Sequence, residues 1–219
     1  MDEIKYFDEE FLLKTKNRQV KARNVILATG VKDIEPILPN LQDGINRGLI
    51  RHCPVCDGYE VINKKVGVIG EGTPGVNEAL FLRHYTPDLF LINLNNYIWK
   101  KSQITTLKEA QITLINENPS RIKLTFKSAK IEFPNHGELV LDSIYSALGS
   151  IKNTKLAEDL YCKFRDGFLV VDKNYETSIK GFYAAGDIVL GLNQICVAES
   201  HAAIAATAIH NKLLSDSGF

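Results

Sequence analysis

Val66-Gly67-Val68-Ile69-Gly70-Glu71-Gly72-Thr73-Pro74-Gly75 is the stretch on which the reading of the fold depends. A short apolar run leads into a Gly-x-Gly-x-x-Gly. This predicts a buried strand, a tight turn and a helix over Thr73 to Tyr85, with Val76, Ala79 and Leu80 on its apolar face. Pro87 and the apolar run Leu89 to Asn93 follow, so the unit reads as β-α-β. In such a unit the glycine turn is where a dinucleotide pyrophosphate meets the N–H groups of a helix N-terminus. Glycines also make a tight corner with no ligand at all. It is the place of the turn between strand and helix, not the pattern alone, that marks Gly70, Gly72 and Gly75 as nucleotide contacts.

Just upstream lies Cys53-Pro54-Val55-Cys56-Asp57-Gly58. Two thiols separated by two residues can close a small disulfide ring, and such pairing lowers a thiol's pKa toward neutrality. The adjoining carboxyl of Asp57 is placed to take up or release the proton that thiol–disulfide exchange moves. A zinc site would need four ligands, and the chain has one Cys-x-x-Cys with no second Cys or His pair at matching spacing. No metal is therefore expected. Cys162 and Cys196 stand alone and are expected to pack as small apolar residues.

Further outward, Ile4 to Gly30 reads as short strands, at Phe11 to Leu13, Val20 to Ala22 and Asn24 to Ala28, with a hairpin turn near Lys16-Asn17-Arg18. Pro36 and Pro39 mark an irregular connection. Beyond the β-α-β unit come a helix over Gln103 to Ala110 and a strand over Ile112 to Ile115. A hairpin of Ile122 to Phe126 with Lys130 to Phe133 follows, then one strand from Leu139 to Leu148. A helix at Thr154 to Leu160, strands at Phe168 to Val171 and Gly181 to Ala185, and a long helix from about Gln194 to Leu214 complete the chain.

These motifs, in this order, resemble the thioredoxin-reductase-like flavoprotein disulfide oxidoreductases, whose redox motif has the form Cys-x-x-Cys-Asp-Gly. Val25-Ile26-Leu27-Ala28-Thr29-Gly30 is similar to the strand by which that family enters its flavin domain. Thr177 to Gly186-Asp187 is similar to its second flavin fingerprint, and Asn193-Gln194 with the following helix to its closing segment. The resemblance implies an α/β fold in which a Rossmann-like NAD(P)-binding domain, 58–150, is inserted into an incomplete FAD-binding domain formed by 1–57 and 151–219. It implies FAD contacts at Thr29, Gly30, Gly186, Asp187 and Gln194, and a nucleotide-domain contact at Glu78. Cys56 would then face the flavin, Cys53 would attack the substrate disulfide, and Asp57 would act as general acid/base. The implied substrates are a thioredoxin-like protein or a small-molecule disulfide or dithiol, and the implied assembly is a homodimer.

Two departures from the family pattern set further expectations. No glycine precedes Gly30, so the chain reads as the later part of a reductase, without the first glycine turn that cradles the flavin pyrophosphate. FAD binding by this chain alone is accordingly expected to be poor. The second departure is the segment Ile92-Asn93-Leu94-Asn95-Asn96-Tyr97. It has neither an acidic residue for a ribose nor the arginine run that would hold a 2′-phosphate. NAD(P)H binding is left open, but a site specific for NADPH is not supported. Two alternatives stand beside reduction of a disulfide: flavin-dependent oxidation of a small-molecule dithiol, and a non-catalytic remnant of the family. His201, where the family more often has glycine, is expected to be a surface or packing residue.

Composition excludes several other classes. Lys plus Arg and Asp plus Glu number 26 each, so no net charge draws the chain to nucleic acid or a membrane surface. Asp2-Glu3 does not suit a basic targeting leader, and no apolar run reaches the roughly 20 residues of a membrane span. A cytoplasmic protein is expected.

Overall fold

The structure, a computed structural model, describes residues 1–38, 40–94 and 97–217. The chain divides into two units, Met1–Lys32 with Ile151–Phe219, and Asp33–Ser150. Each is α/β in character, as expected.

The Asp33–Ser150 unit is built on a parallel sheet in the order Ile50–Arg51, Ser143–Ala147, Val66–Gly70, Leu89–Ile92, Thr113–Ile115. Every residue of Val66–Gly70 and of Ser143–Ala147 is buried, because a central parallel strand is covered on both faces. Successive side chains alternate between those faces. Val66, Val68, Leu89, Leu91 and Tyr145 meet Val76, Ala79 and Leu82 of helix Gly72–Leu82 and Leu107 of helix Lys101–Glu109. Ile69, Ile92 and Ile144 face the other way, toward Ile131, Phe133 and Leu141 of a three-stranded antiparallel sheet. That sheet is Arg121–Leu124, Ala129–Phe133 and Gly137–Leu141. Gly67 lets it approach, since a Cβ there would stand 2.6 Å from Leu141 Cδ1.

Two expectations about this unit are corrected. Leu139 to Leu148 is not one strand: it breaks at Asp142 into Gly137–Leu141 and Ser143–Ala147, which belong to different sheets. Asp142 makes the corner, its N–H donating to the Lys65 carbonyl and its Oδ2 accepting the Lys65 N–H, both at 2.8 Å. The boundary also differs. Residues 33–57 pack with the inserted unit rather than the outer one, because Ile50–Arg51 is the edge strand of its parallel sheet.

In the other unit, Glu3–Phe7, Glu10–Lys14 and Gln19–Ala22 form an antiparallel sheet, and Val25–Leu27 runs parallel to Phe182–Ala184. Ile4, Phe11, Leu27, Leu160, Leu169, Phe182 and Ile188 share the core. The closing helix, Ile195–Asp216, buries only His201 and Ala205. Cys162 is buried as expected. Cys196 is exposed, contrary to expectation, because it lies in the first turn of a helix whose buried face passes through His201 and Ala205. Among the described residues, no helix is long and apolar enough to cross a membrane.

Candidate redox site and nucleotide crevice

Cys53 caps a one-turn helix, Pro54–Asp57, with proline at the first helical position, where a missing N–H costs nothing. The Cys53 carbonyl accepts the N–H of Cys56 at 2.9 Å and that of Asp57 at 3.2 Å. This turn brings the Cα atoms of Cys53 and Cys56 to 5.2 Å, and their sulfurs are joined in a disulfide. Cys53 is half-buried and Cys56 exposed. Gly58 beside them leaves room for the Tyr85 ring, which a Cβ there would meet tightly at 3.0 Å.

Asp57 is held on both oxygens. Arg51, from the edge strand, donates to Oδ2 at 2.8 Å, and the Tyr145 hydroxyl donates to Oδ1 at 2.7 Å. Arg51 also donates to Glu60 at 2.7 Å and to the Gly48 carbonyl and Ser143 Oγ at 3.0 Å. Burial, and then the hydrogen bond to Asp57, raises the Tyr145 phenol far above its ordinary range, so it remains a donor. Next to Cys53, His52 Nε2 lies 2.8 Å from Glu35 Oε2. Arg47, Arg51, His52, Cys53, Asp57 and Glu60 line one open cleft. Sequence reasoning found the cysteines and Asp57 but missed Arg51, His52, Glu35 and Tyr145. Arg51-His52, two basic residues directly before the motif, was a readable signal; Tyr145, in a strand distant in sequence, was not.

The glycine turn has the backbone of a dinucleotide site. A Cβ on Gly75 would stand 2.9 Å from the Gly70 carbonyl carbon, and one on Gly70 would stand 3.1 Å from Gly75 Cα, so strand and helix meet at contact distance. Gly72 has φ +62, open to glycine and strained for other residues. The described side chains around it carry acid rather than base. A crevice beside the turn is lined by Glu35, Glu71, Pro74, Leu94 and Gly149, and no basic residue is among its described lining. The Tyr97 hydroxyl lies beside this glycine, 3.5 Å from where a Cβ on Gly72 would stand. Glu35 and Glu71 are the charged residues of the described lining, so a 2′-phosphate would find no guanidinium partner among the described residues there. Asn95 and Asn96, part of the segment read as lacking an arginine run, lie outside the described residues. Glu78 sits within helix Gly72–Leu82 and does not line the crevice. Burial pushes its carboxyl up to about 7, and its Oε1 is buried without a partner.

The residues expected to hold a flavin converge in the other unit. Because Val25–Leu27 and Phe182–Ala184 run parallel, Ala28-Thr29-Gly30 and Ala185-Gly186-Asp187 emerge side by side. Thr29 Oγ1 donates to the Asn153 carbonyl at 2.6 Å, and Gly186 takes φ +77. A Cβ on Gly186 would lie 3.5 Å from Ala198 Cβ, which brings in the first turn of the helix that Gln194 caps. Nearby, His201 is buried against Tyr175, ring centroids 4.4 Å apart, with Nδ1 lacking a partner. A helix N-terminus, two glycine-bearing turns and an orphaned buried nitrogen fit a flavin with its polar ring edge and phosphates.

The profile of the pyridine nucleotide-disulphide oxidoreductase family matches residues 2–202. The chain is 28% identical to a "34.2 kDa protein in rubredoxin operon" of Clostridium pasteurianum, over 94% of this chain and 70% of the relative. It is 30% identical to a thioredoxin reductase of Ureaplasma parvum, over 90% of this chain and 69% of the relative. Among solved structures, a thioredoxin reductase from Streptococcus pyogenes superposes with a TM-score of 0.85, over 97% of this chain and 72% of that one. At 24% identity, that likeness speaks for the fold.

Proposed function

The chain belongs to the pyridine nucleotide-disulphide oxidoreductase family as a thioredoxin-reductase-like member, and from that premise we propose that it exchanges electrons with a disulfide or dithiol substrate through Cys53 and Cys56. The observation that carries this reading is the Cys53–Cys56 disulfide, closed by a one-turn helix at the surface of a polar cleft. In the reduced state, the Cys53 thiolate attacks a substrate disulfide, a mixed disulfide forms, and Cys56 then attacks Cys53 Sγ to release the second substrate thiol. The substrate is a thioredoxin-like protein or a small-molecule disulfide, the assembly a homodimer, and the compartment a reducing one such as the cytoplasm.

Thr29, Gly30, Gly186, Asp187 and Gln194 would hold FAD, which when bound supplies two-electron chemistry to a disulfide. NAD(P)H stays open as the electron donor, and the described lining beside Gly72 offers no guanidinium that would select NADPH. The same residues are open to a second direction, in which a small dithiol reduces the Cys53–Cys56 bond and itself leaves as a disulfide. Asp57, which accepts hydrogen bonds from Arg51 and Tyr145, serves either direction as the general acid/base beside the redox pair.

Thiol titration of the denatured chain tests the reading. Of the four cysteines, Cys162 and Cys196 are the free pair, so mild oxidation should leave two titratable thiols and reduction should restore four. Equal counts before and after oxidation would overturn the proposal. The reduced chain should pass its electrons to oxidised thioredoxin or to a simple dialkyl disulfide, and Cys53→Ser should abolish that transfer.

A further inference from the structure

Resting on the disulfide reading above, we propose that Phe126, at the tip of the hairpin Arg121–Leu124 and Ala129–Phe133, is the apolar anchor on which a folded disulfide protein docks when its cystine meets Cys53. An exposed apolar side chain standing alone is ordinary. Phe126 is 82% exposed, but its backbone is tied to the wall of the cleft that holds Cys53. Arg47 of that wall donates from Nη1 to the Thr125 carbonyl at 2.6 Å and to the Phe126 carbonyl at 3.1 Å. The rest of the Arg47 guanidinium is held by the backbone carbonyl and the carboxylate of Asp43.

The tip is built to keep its shape. The Thr125 N–H donates to the Ser128 carbonyl at 2.8 Å, and Thr125 Oγ1 accepts the Ser128 N–H at 3.1 Å. One residue earlier, Leu124 is seated over Gly44, where a Cβ would stand 2.5 Å from Leu124 Cδ1. Gly44 and Arg47 precede the edge strand Ile50–Arg51, which leads directly into Cys53. Tip, cleft wall and redox turn are therefore one connected piece. An aromatic ring carried on such a piece loses little freedom when it is covered, which favours its use as a binding anchor.

Size and charge choose the occupant. The cleft encloses ≈ 570 Å³, room for a simple dialkyl disulfide. A protein disulfide reaches Cys53 only if its carrier lies across the mouth, and a standard footprint of about 800 Å² per partner extends past the rim. The charges here are already paired within the chain: Arg47 with Asp43, Arg51 with Asp57 and Glu60, and His52 with Glu35. A partner gains little by adding one more charge to such pairs. Apolar contact remains, offered by Phe126 at the tip and by Val55, 61% exposed, between the two cysteines. The partner of matching chemistry carries an uncharged, apolar surface around its cystine.

The test is single-turnover exchange by the pre-reduced full chain, with oxidised thioredoxin and separately with bis(2-hydroxyethyl) disulfide. In each case the Cys53 and Cys56 thiols become a disulfide as one substrate disulfide becomes two thiols. Phe126→Ser should lower the second-order rate with thioredoxin about tenfold or more relative to the rate with the small disulfide, the scale of truncating a binding hot spot. Phe126→Leu, which keeps an apolar side chain, should recover most of that loss. Val140→Ser removes another exposed apolar side chain from the same three-stranded sheet and should leave the ratio unchanged. Equal losses on both probes, no loss, or the same change from Val140→Ser would overturn the anchor while leaving the disulfide reading standing. So would a wild-type chain that reduces the small disulfide but not thioredoxin. A wild-type chain that reduces neither would overturn both.

Discussion

The redox helix and the glycine turn lie in the same unit, in consecutive stretches of chain, and their side chains treat charge in opposite ways. At Cys53–Asp57 every charge has a counterpart: Arg51 bridges Asp57 and Glu60, Tyr145 completes Asp57, and Glu35 faces His52. At Gly70–Gly75 the backbone is shaped for an anion, yet Glu35 and Glu71 line the crevice beside it and the Tyr97 hydroxyl lies next to Gly72. A loop conformation is therefore not a binding site in itself. The side chains that close over it decide what charge it can accept, and they come from elsewhere in the chain.

The contrast can be broken first at its electrostatic hub. Arg51→Met would leave Asp57 and Glu60 without their shared cation, so stability should fall by about 3 kcal/mol and the redox helix should loosen. Urea unfolding checks this, and a loss below about 1 kcal/mol would show that the network does not hold the helix.

Glu78 sharpens the comparison from the helix that follows the turn. Its carboxyl is raised from 4.5 to about 7 by burial, so the folded state favours the protonated form. The sign follows: its contribution is fully present below about pH 4.5 and is lost as pH rises through about 7. Glu78→Gln should abolish that decline and gain up to about 3 kcal/mol at pH 8 over wild type. Denaturation at pH 5 and pH 8 reads it directly, and an unchanged slope would refute it.

Gly75→Ala probes the backbone half of the comparison. Its methyl would fall 2.9 Å from backbone carbon, where no side chain can yield, so a loss of about 1–3 kcal/mol is expected even with no nucleotide present. A neutral result would mean that strand and helix are less closely apposed.

The smallest effect concerns nucleotide choice. NADPH and NADH should differ less than about tenfold in affinity, about 1.4 kcal/mol, and both should bind weakly by calorimetry. Tight binding with a large NADPH advantage would show that the acidic lining does not govern the crevice.

Much of this was legible in local sequence. The two-residue cysteine spacing, the proline after Cys53 and the glycine turn each act over a few residues, and the disulfide and the strand–turn–helix follow from them. The short apolar run Val66 to Ile69 announced a buried strand, which the sheet covers on both faces. What escaped were changes of sheet and partner. Leu139 to Leu148 is apolar enough to read as one strand, and only the reciprocal Asp142–Lys65 pairing shows where it turns from one sheet to the other. Cys196 read as a core residue from its apolar neighbours, but its helix leaves it exposed.

By itself, then, the sequence determined the redox pair, the glycine turn, the parallel α/β architecture and the family, because each depends on short-range spacing and periodicity. Tertiary structure alone decided that Asp57 is locked by Tyr145 from a remote strand and that Glu35 reaches His52. It also decided that the nucleotide turn opens onto carboxylates. Hydrogen bonds and Coulomb forces act across space rather than along the chain, so charge complementarity appears only when distant strands are brought side by side.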